Sequence, residues 1–273
     1  MKSSHIDKIK AFLPYASDIV GVLSTETIAF MTGDLQGAIL GGTYGVIVAR
    51  SISEMADRVL SNREKVRVSS VAYYALKNIE NRQKHGESIR DDGFFDEKTG
   101  KRSDAEEIFE GVLLKAKNEH EEKKTRILGN IFANTAFTMS FSAGEANYLL
   151  KIIDNLTYRD LCILALVKRK DDIPGIELRK EWMGEVNPSD ASNSVILDFS
   201  TKKTSIFQQT YELVHKGLLI CSASKEEISA LVNAFDIIPS ELELTIMGLN
   251  YCQIMGLDDI SEEDIREIEE YFR

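Results

Sequence analysis

Basic charge is in short supply: 33 Lys and Arg stand against 44 Asp and Glu, a net charge of −11. A chain that neutralises many phosphates needs a basic surface, so this balance disfavours nucleic acid as a partner. Proline is scarce too, at four residues, which argues against long linkers and extended disorder. The three cysteines, Cys162, Cys221 and Cys252, sit in apolar company without CxxC spacing. That pattern excludes a zinc ribbon or a disulfide framework and implies buried, reduced thiols in a cytoplasm-like compartment. The four histidines are scattered, with no HxxxH pair to hold a metal. His120 falls in the charge-rich stretch "NEHEEKK" and His215 beside Gly217. No GxSxG and no Ser/His/Asp or Cys/His arrangement stands out, and no cofactor is expected.

Long apolar runs are also missing. The uninterrupted run from Gly37 to Ala49, bounded by Asp34 and Arg50, is short of the roughly 20 residues that a spanning helix needs. Joining it to the preceding stretch would bury Glu26 and Asp34 in lipid. The N-terminal residues show no signal-peptide pattern, since their apolar core is short and broken by Pro14. The expected setting is cytoplasmic, with membrane contact only on activation.

What is present is helical periodicity. Within the glycine-striped segment 36–50, Gly37, Gly41 and Gly45 recur every fourth residue, with Gly42 beside them. This stacks bare backbone on one helix face, a surface suited to close packing or self-association. Neither a preceding strand nor a following Lys-Ser/Thr supports a phosphate loop. After Arg50, the residues Ile52, Met55, Val59 and Leu60 follow at helical spacing.

Cap signatures then punctuate the chain: Ser61 to Glu64, Ser103 to Glu106, Ser142 to Glu145, Thr157 to Asp160 and Ser261 to Asp264. Gly86 closes the helix begun at Ser61. The stretch 105–139 reads as one long helix or as two broken near Gly129. Residues 87–102 form the clearest loop, with Phe94 and Phe95 anchoring it on the core. Residues 171–193 read as an irregular insertion. Beyond them, "SVILDFS" reads as a short strand and "TSIFQQTYELVHKG" as a helix closed by Gly217. "LLICSA" reads as a strand and "KEEISALVNAF" as a short helix. "SELELTIMGLNYCQIMGL" reads as a strand passing into a helix, and a last acidic helix runs to Arg273.

The fold expected is mostly α: a helical region over 1–140, then a winged-helix-like α+β region over 141–273. The winged-helix likeness rests on Leu213, Gly217, Leu218 and Leu219, followed by Leu244, Thr245 and Gly248 in an LT-x-x-G step. Gly217 lets the chain reverse, and Thr245 is placed to cap the next helix. Over roughly residues 104–256, the chain also resembles the Abi-alpha type of bacterial abortive-infection protein. The residues concerned are Leu128, Asn130, Ala133 and Asn134, then Leu161, Leu164 and Leu166. The resemblance implies a cytoplasmic protein of phage defence that acts through interactions. It brings no catalytic residue set.

Three functions compete. The leading one is a non-enzymatic phage-defence or stress protein that self-associates through the glycine segment and contacts a protein partner through the C-terminal region. The second is a winged-helix transcription regulator, whose reading helix would present Lys202, Lys203, Gln208, Gln209 and Lys216 to DNA or a partner. The third is a metal-dependent nuclease built on the acidic 91–110 region. Asp91, Asp92 and Asp96 are its nearest approach to a ligand set, with Glu106, Glu107 and Glu110 behind them. EF-hand spacing fails there, so no metal site is expected.

Overall fold

The computed structural model describes residues 11–21, 43–97, 101–180, 201–222 and 234–273. The protein is mostly helical, with one small antiparallel strand pair among the described residues. It divides into two compact units, Met1–Asn155 with Ile254–Gly256 and Leu156–Gln253 with Leu257–Arg273.

The first unit begins, in its described part, with two short turns, Leu13–Ala16 and Ser17–Val20. The longer helices follow: α1 (Thr43–Ala56), α2 (Asn62–Lys84), α3 (Asp104–Asn118), α4 (Lys124–Thr135) and α5 (Ala143–Ile153). Local chemistry fixes their starts. Ser61 accepts a hydrogen bond from the Glu64 N–H while the Glu64 carboxylate accepts one from the Ser61 N–H, a reciprocal box that Ser142 and Glu145 repeat. Ser103 caps α3 by accepting from the Glu106 N–H. Gly86, at φ +85°, lets the chain leave α2.

α4 is buried nearly all round and lies in the centre of its unit. Its run from Ile127 to Ala133 is buried throughout. It lies along α2, whose Val68, Val71, Ala72, Ala75, Leu76 and Ile79 are buried. It also packs on α3, where the Phe109 and Phe132 rings meet at 4.3 Å. Phe94 and Phe95 are buried and anchor the charged loop as expected.

Two sequence expectations fail here. α1 ends at Ala56, so Val59 does not join Ile52 and Met55 on the buried face and is 99% exposed. The stretch after Ser103 is two helices, but they part at residues 119–123 and not at Gly129. The Glu119 carboxylate accepts the N–H groups of His120 and Glu121 and pairs with buried Lys124, which turns the chain between α3 and α4. Gly129 is an interior residue of α4 pressed against α2.

The second unit is built on α6 (Tyr158–Arg169), buried continuously from Asp160 to Val167 and opened by the Thr157–Asp160 box. The unit also holds α7 (Thr201–His215), β1 (Leu219–Cys221), β2 (Leu242–Leu244), α8 (Ile246–Met255, whose last two residues belong to the first unit) and α9 (Glu262–Phe272). The strands pair Leu219 with Leu244 and Cys221 with Leu242. α9 is acidic outside and buries Ile265, Ile268 and Phe272; Phe272 meets Phe207 of α7 edge-on at 5.4 Å. Residues 171–180 are irregular, as expected. The expected strand in "SVILDFS" and nearly all of the expected helix in "KEEISALVNAF" lie outside the described residues.

Candidate partner-binding surface

The helix–strand–strand–helix layout in the second unit depends on three residues that the sequence singles out. Gly217 adopts φ +71° just after α7, a backbone state that a side chain resists. The Thr245 hydroxyl donates to the Gly217 carbonyl at 2.6 Å and accepts from the Gly248 N–H at 2.9 Å. It thereby ties the reversal after α7 to the first turn of α8. Gly248 is buried against the Leu218 carbonyl, where any β-carbon would collide.

α7 carries four of the five expected contact residues and Lys216 follows it directly, but most are occupied within the unit. Lys202 pairs with Glu267 at 3.0 Å and lies 4.7 Å over the Tyr271 ring. Hydrogen bonding to Tyr271, then to Glu267, holds its ammonium above the ordinary lysine range. Gln208 reaches Glu212 at 3.5 Å, Lys216 pairs with the same carboxylate at 3.6 Å, and Gln209 donates to the Thr157 hydroxyl at 3.0 Å. Lys203 is half-buried. With Lys202 and Lys216 matched by acids of their own unit, less positive field is left here for a phosphate backbone.

A different surface is open. With Gly248 facing inward, helical geometry turns Ile246, Asn250 and Gln253 outward, with Leu249 at the margin. Ile246 is 84% exposed and Leu249 50%, with exposed Glu243 just before them on β2. Sequence reasoning missed this pair because it read the segment as a strand passing into a helix without assigning that helix an outer face. The inward demand of Gly248 in the LT-x-x-G step was the signal that could have found it.

Among the described residues, Asp91, Asp92 and Asp96 are not gathered into a ligand set. Asp92 is taken by Arg90, at 2.8 Å through Nε and 2.5 Å through Nη2, and this hydrogen bonding holds its carboxyl below the usual aspartate value. Asp91 and Asp96 are exposed. The one cluster of three ligand-bearing groups among the described residues is Glu119, His120 and Glu121. There Glu119 is already committed to two backbone N–H groups and Lys124. Arg90 itself is buried, and it donates to the carbonyls of Thr135, Thr138, Met139 and Phe141. It lies 4.4 Å over the Phe94 ring.

Asn130 and Asn134 hold a polar line inside the first unit. Asn130 accepts from Asn78 at 3.1 Å and donates to the Met255 carbonyl at 3.4 Å. Asn134 accepts from Arg82 at 3.0 Å and donates to the Ile254 carbonyl at 2.9 Å. Gly256, at φ +65°, leaves room for the Asn130 amide, since a β-carbon there would come within 2.6 Å of its nitrogen. The three cysteines are buried as expected, and burial pushes the Cys252 thiol up to about 12.

Of the glycine stripe, Gly37, Gly41 and Gly42 lie outside the described residues, and Gly45 falls in α1. Among the described residues no helix is long and apolar enough to cross a membrane. No family model, curated protein or solved structure matches the chain.

Proposed function

We propose that the chain is a non-enzymatic interaction protein of bacterial phage defence or stress response. It self-associates through the segment carrying Gly37, Gly41, Gly42 and Gly45, and it contacts a protein partner through its C-terminal unit. The observation that carries the partner half is the contrast between α7 and α8. Lys202 and Lys216 are matched by acids of their own unit, whereas Ile246 and Leu249 stand exposed, with exposed Glu243 just before them in the chain. An apolar pair flanked by a carboxylate suits a partner surface of apolar and basic character. The defence setting is supported by the abortive-infection resemblance alone.

Two measurements test the reading. Light scattering on the full chain should give a multimer whose mass falls when Gly41 and Gly45 are both replaced by Leu; an unchanged mass removes self-association. Fluorescence polarisation with duplex DNA at low salt should show no binding. Salt-sensitive binding that is lost in Lys202→Glu/Lys203→Glu would replace this reading with a transcription regulator.

A further inference from the structure

α2 is a basic helix in an acidic chain. It carries six Lys and Arg against two Glu, while the whole chain has a net charge of −11. Arg63, Arg67, Tyr74, Lys77, Asn81 and Lys84 recur at intervals of three, four or seven residues, which places them along one helix face. Four of these six are cations and none is an acid. The face is most open near the end of the helix, where Lys77, Asn81 and Lys84 are all exposed. Lys77 makes no ion pair among the described residues; its ammonium lies 5.4 Å over the Tyr73 ring. Lys84 pairs with Glu80 at 2.5 Å, yet its side chain is still 58% exposed.

α9 is the reverse, with six acids and one Arg. Glu263, Glu267 and Glu270 stand exposed on the side opposite Ile265, Ile268 and Phe272, which are buried. Glu267 is taken by Lys202, but Glu263 and Glu270 make no ion pair among the described residues.

The two stripes share one spacing. Lys77, Asn81 and Lys84 stand four and then three residues apart, and so do Glu263, Glu267 and Glu270. At the α-helical rise each set extends about 10.5 Å along its axis. Two such helices laid side by side bring Lys77 and Lys84 opposite Glu263 and Glu270 in either direction, with the Asn81 amide facing Glu267. Opposed charges in register at the flanks of paired helices select partner and orientation.

We infer that the α2 stripe of one molecule docks on the α9 stripe of a second copy. The contact is head-to-tail, so each copy in a row leaves one stripe free for the next. It is weak and salt-sensitive, because exposed ion pairs contribute little singly and are screened. It requires neither Gly41 nor Gly45, so it stands apart from the self-association assigned to the glycine segment.

Sedimentation velocity on the full chain, over a range of protein concentration, tests this contact at ~0.1 M and ~1 M salt. At the lower salt the screening length is about 10 Å, which damps repulsion between the net negative charges and leaves charges in contact effective. Mean mass should rise with concentration at low salt and lose that rise at high salt, also when Gly41 and Gly45 are both Leu. A salt-independent mass that falls on the Leu replacements belongs to the glycine segment instead. Lys77→Glu, and separately Glu263→Gln/Glu270→Gln, should each abolish the salt-sensitive rise. Neither change breaks an ion pair among the described residues, so both variants should melt with the parent. An equal mixture of the two should recover the rise, since each supplies the stripe that the other lacks. No salt-sensitive rise, a rise that survives in either variant, or a mixture no heavier than its parts would overturn the contact. A rise lost in Lys77→Glu but kept in Glu263→Gln/Glu270→Gln would give the α2 stripe to a different anion and would overturn it as well.

Discussion

A β-carbon added at Gly129 would lie 2.7 Å from the Tyr74 β-carbon, closer than side chains pack. It would also meet Val71 O at 2.8 Å and Ala75 N at 2.9 Å, so the obstacle is largely the backbone of α2. α2 and α4 therefore approach to a distance that only glycine permits, at the centre of the first unit. Gly129→Ala should destabilise the protein by about 1–3 kcal/mol, because overpacking against backbone outweighs the ~1 kcal/mol gained in helix propensity. Gly144→Ala is the control. It sits exposed in α5 with nothing nearer than the Ser142 hydroxyl at 3.8 Å, and should be neutral or slightly stabilising. Thermal melts of the two variants moving together would refute the close approach.

Arg90 works as a buried clamp on the chain that leaves α4. Its Nη1 reaches the Thr135, Thr138 and Phe141 carbonyls at 3.2, 3.0 and 2.8 Å, at the end of α4 and in the turns that follow it. Arg90→Ala should cost about 3–5 kcal/mol in chemical denaturation. Arg90→Lys should cost nearly as much, because an ammonium lacks the fork that grips Asp92 and the carbonyls together. A Lys variant as stable as the parent would show that charge alone matters at this position.

The same pair fixes the sign of an acid response. Arg90 holds the Asp92 carboxyl below its ordinary value, so its contribution is present above the unfolded-state range and is lost as pH falls through the folded value. The capping carboxylates Glu64 and Glu145 are lowered by their hydrogen bonds to Ser61 and Ser142 and act in the same direction. Stability should therefore decline below about pH 4. In Asp92→Asn the decline should be shallower, read from denaturant midpoints across that range. An unaltered acid limb in the variant would assign the effect elsewhere.

Legibility followed the range of each interaction. The caps at Ser61, Ser142 and Thr157 were readable because donor and acceptor lie three residues apart. The reversal at Gly217 and the cap at Thr245 were readable for the same reason. Arg90 was not, since charge and glycine around it suggest water, while the carbonyls it grips lie 45 to 51 residues onward. The break at 119–123 was hidden because Glu119 caps with its own long side chain, and Gly129 drew attention to the wrong place. Val59 fits the helical spacing, yet the chain leaves α1 at Ala56 to begin the next cap at Ser61. At the candidate surface, Lys202 looked available because Glu267, which neutralises it, lies 65 residues away.

Asp160 should respond to pH in the opposite sense. It is buried beneath the start of α6, and burial raises its carboxyl above the ordinary value despite the bonds from Thr157. Its Oδ2 accepts both the Thr157 N–H at 2.7 Å and the Thr157 hydroxyl at 2.8 Å. One amide oxygen can accept the same pair, so Asp160→Asn keeps the box while removing a charge that burial penalises. The folded state binds the proton more tightly than the unfolded chain. Ionising Asp160 thus costs stability as pH rises through the interval between the two values. The Asn variant should gain on the parent from about pH 4 upward and level off once Asp160 is ionised in the fold. A difference that does not change with pH would place Asp160 among ordinary capping carboxylates.

Thr245 carries the turn on which the C-terminal layout depends. Its hydroxyl gives its proton to the Gly217 carbonyl and takes the Gly248 N–H, so a single oxygen closes both the end of α7 and the start of α8. Thr245→Val keeps the shape and loses both bonds, leaving a carbonyl and an N–H without their partner. The expected cost is about 1–2 kcal/mol, in the range of a lost cap. Thr245→Ser keeps the hydroxyl and should recover most of it. Because Gly248 can face Leu218 only while this turn is closed, the Val variant should also speed hydrogen exchange in β2 and the first turn of α8 more than in α9. Uniform acceleration across these elements would mean that Thr245 contributes to the stability of the unit without directing its turn.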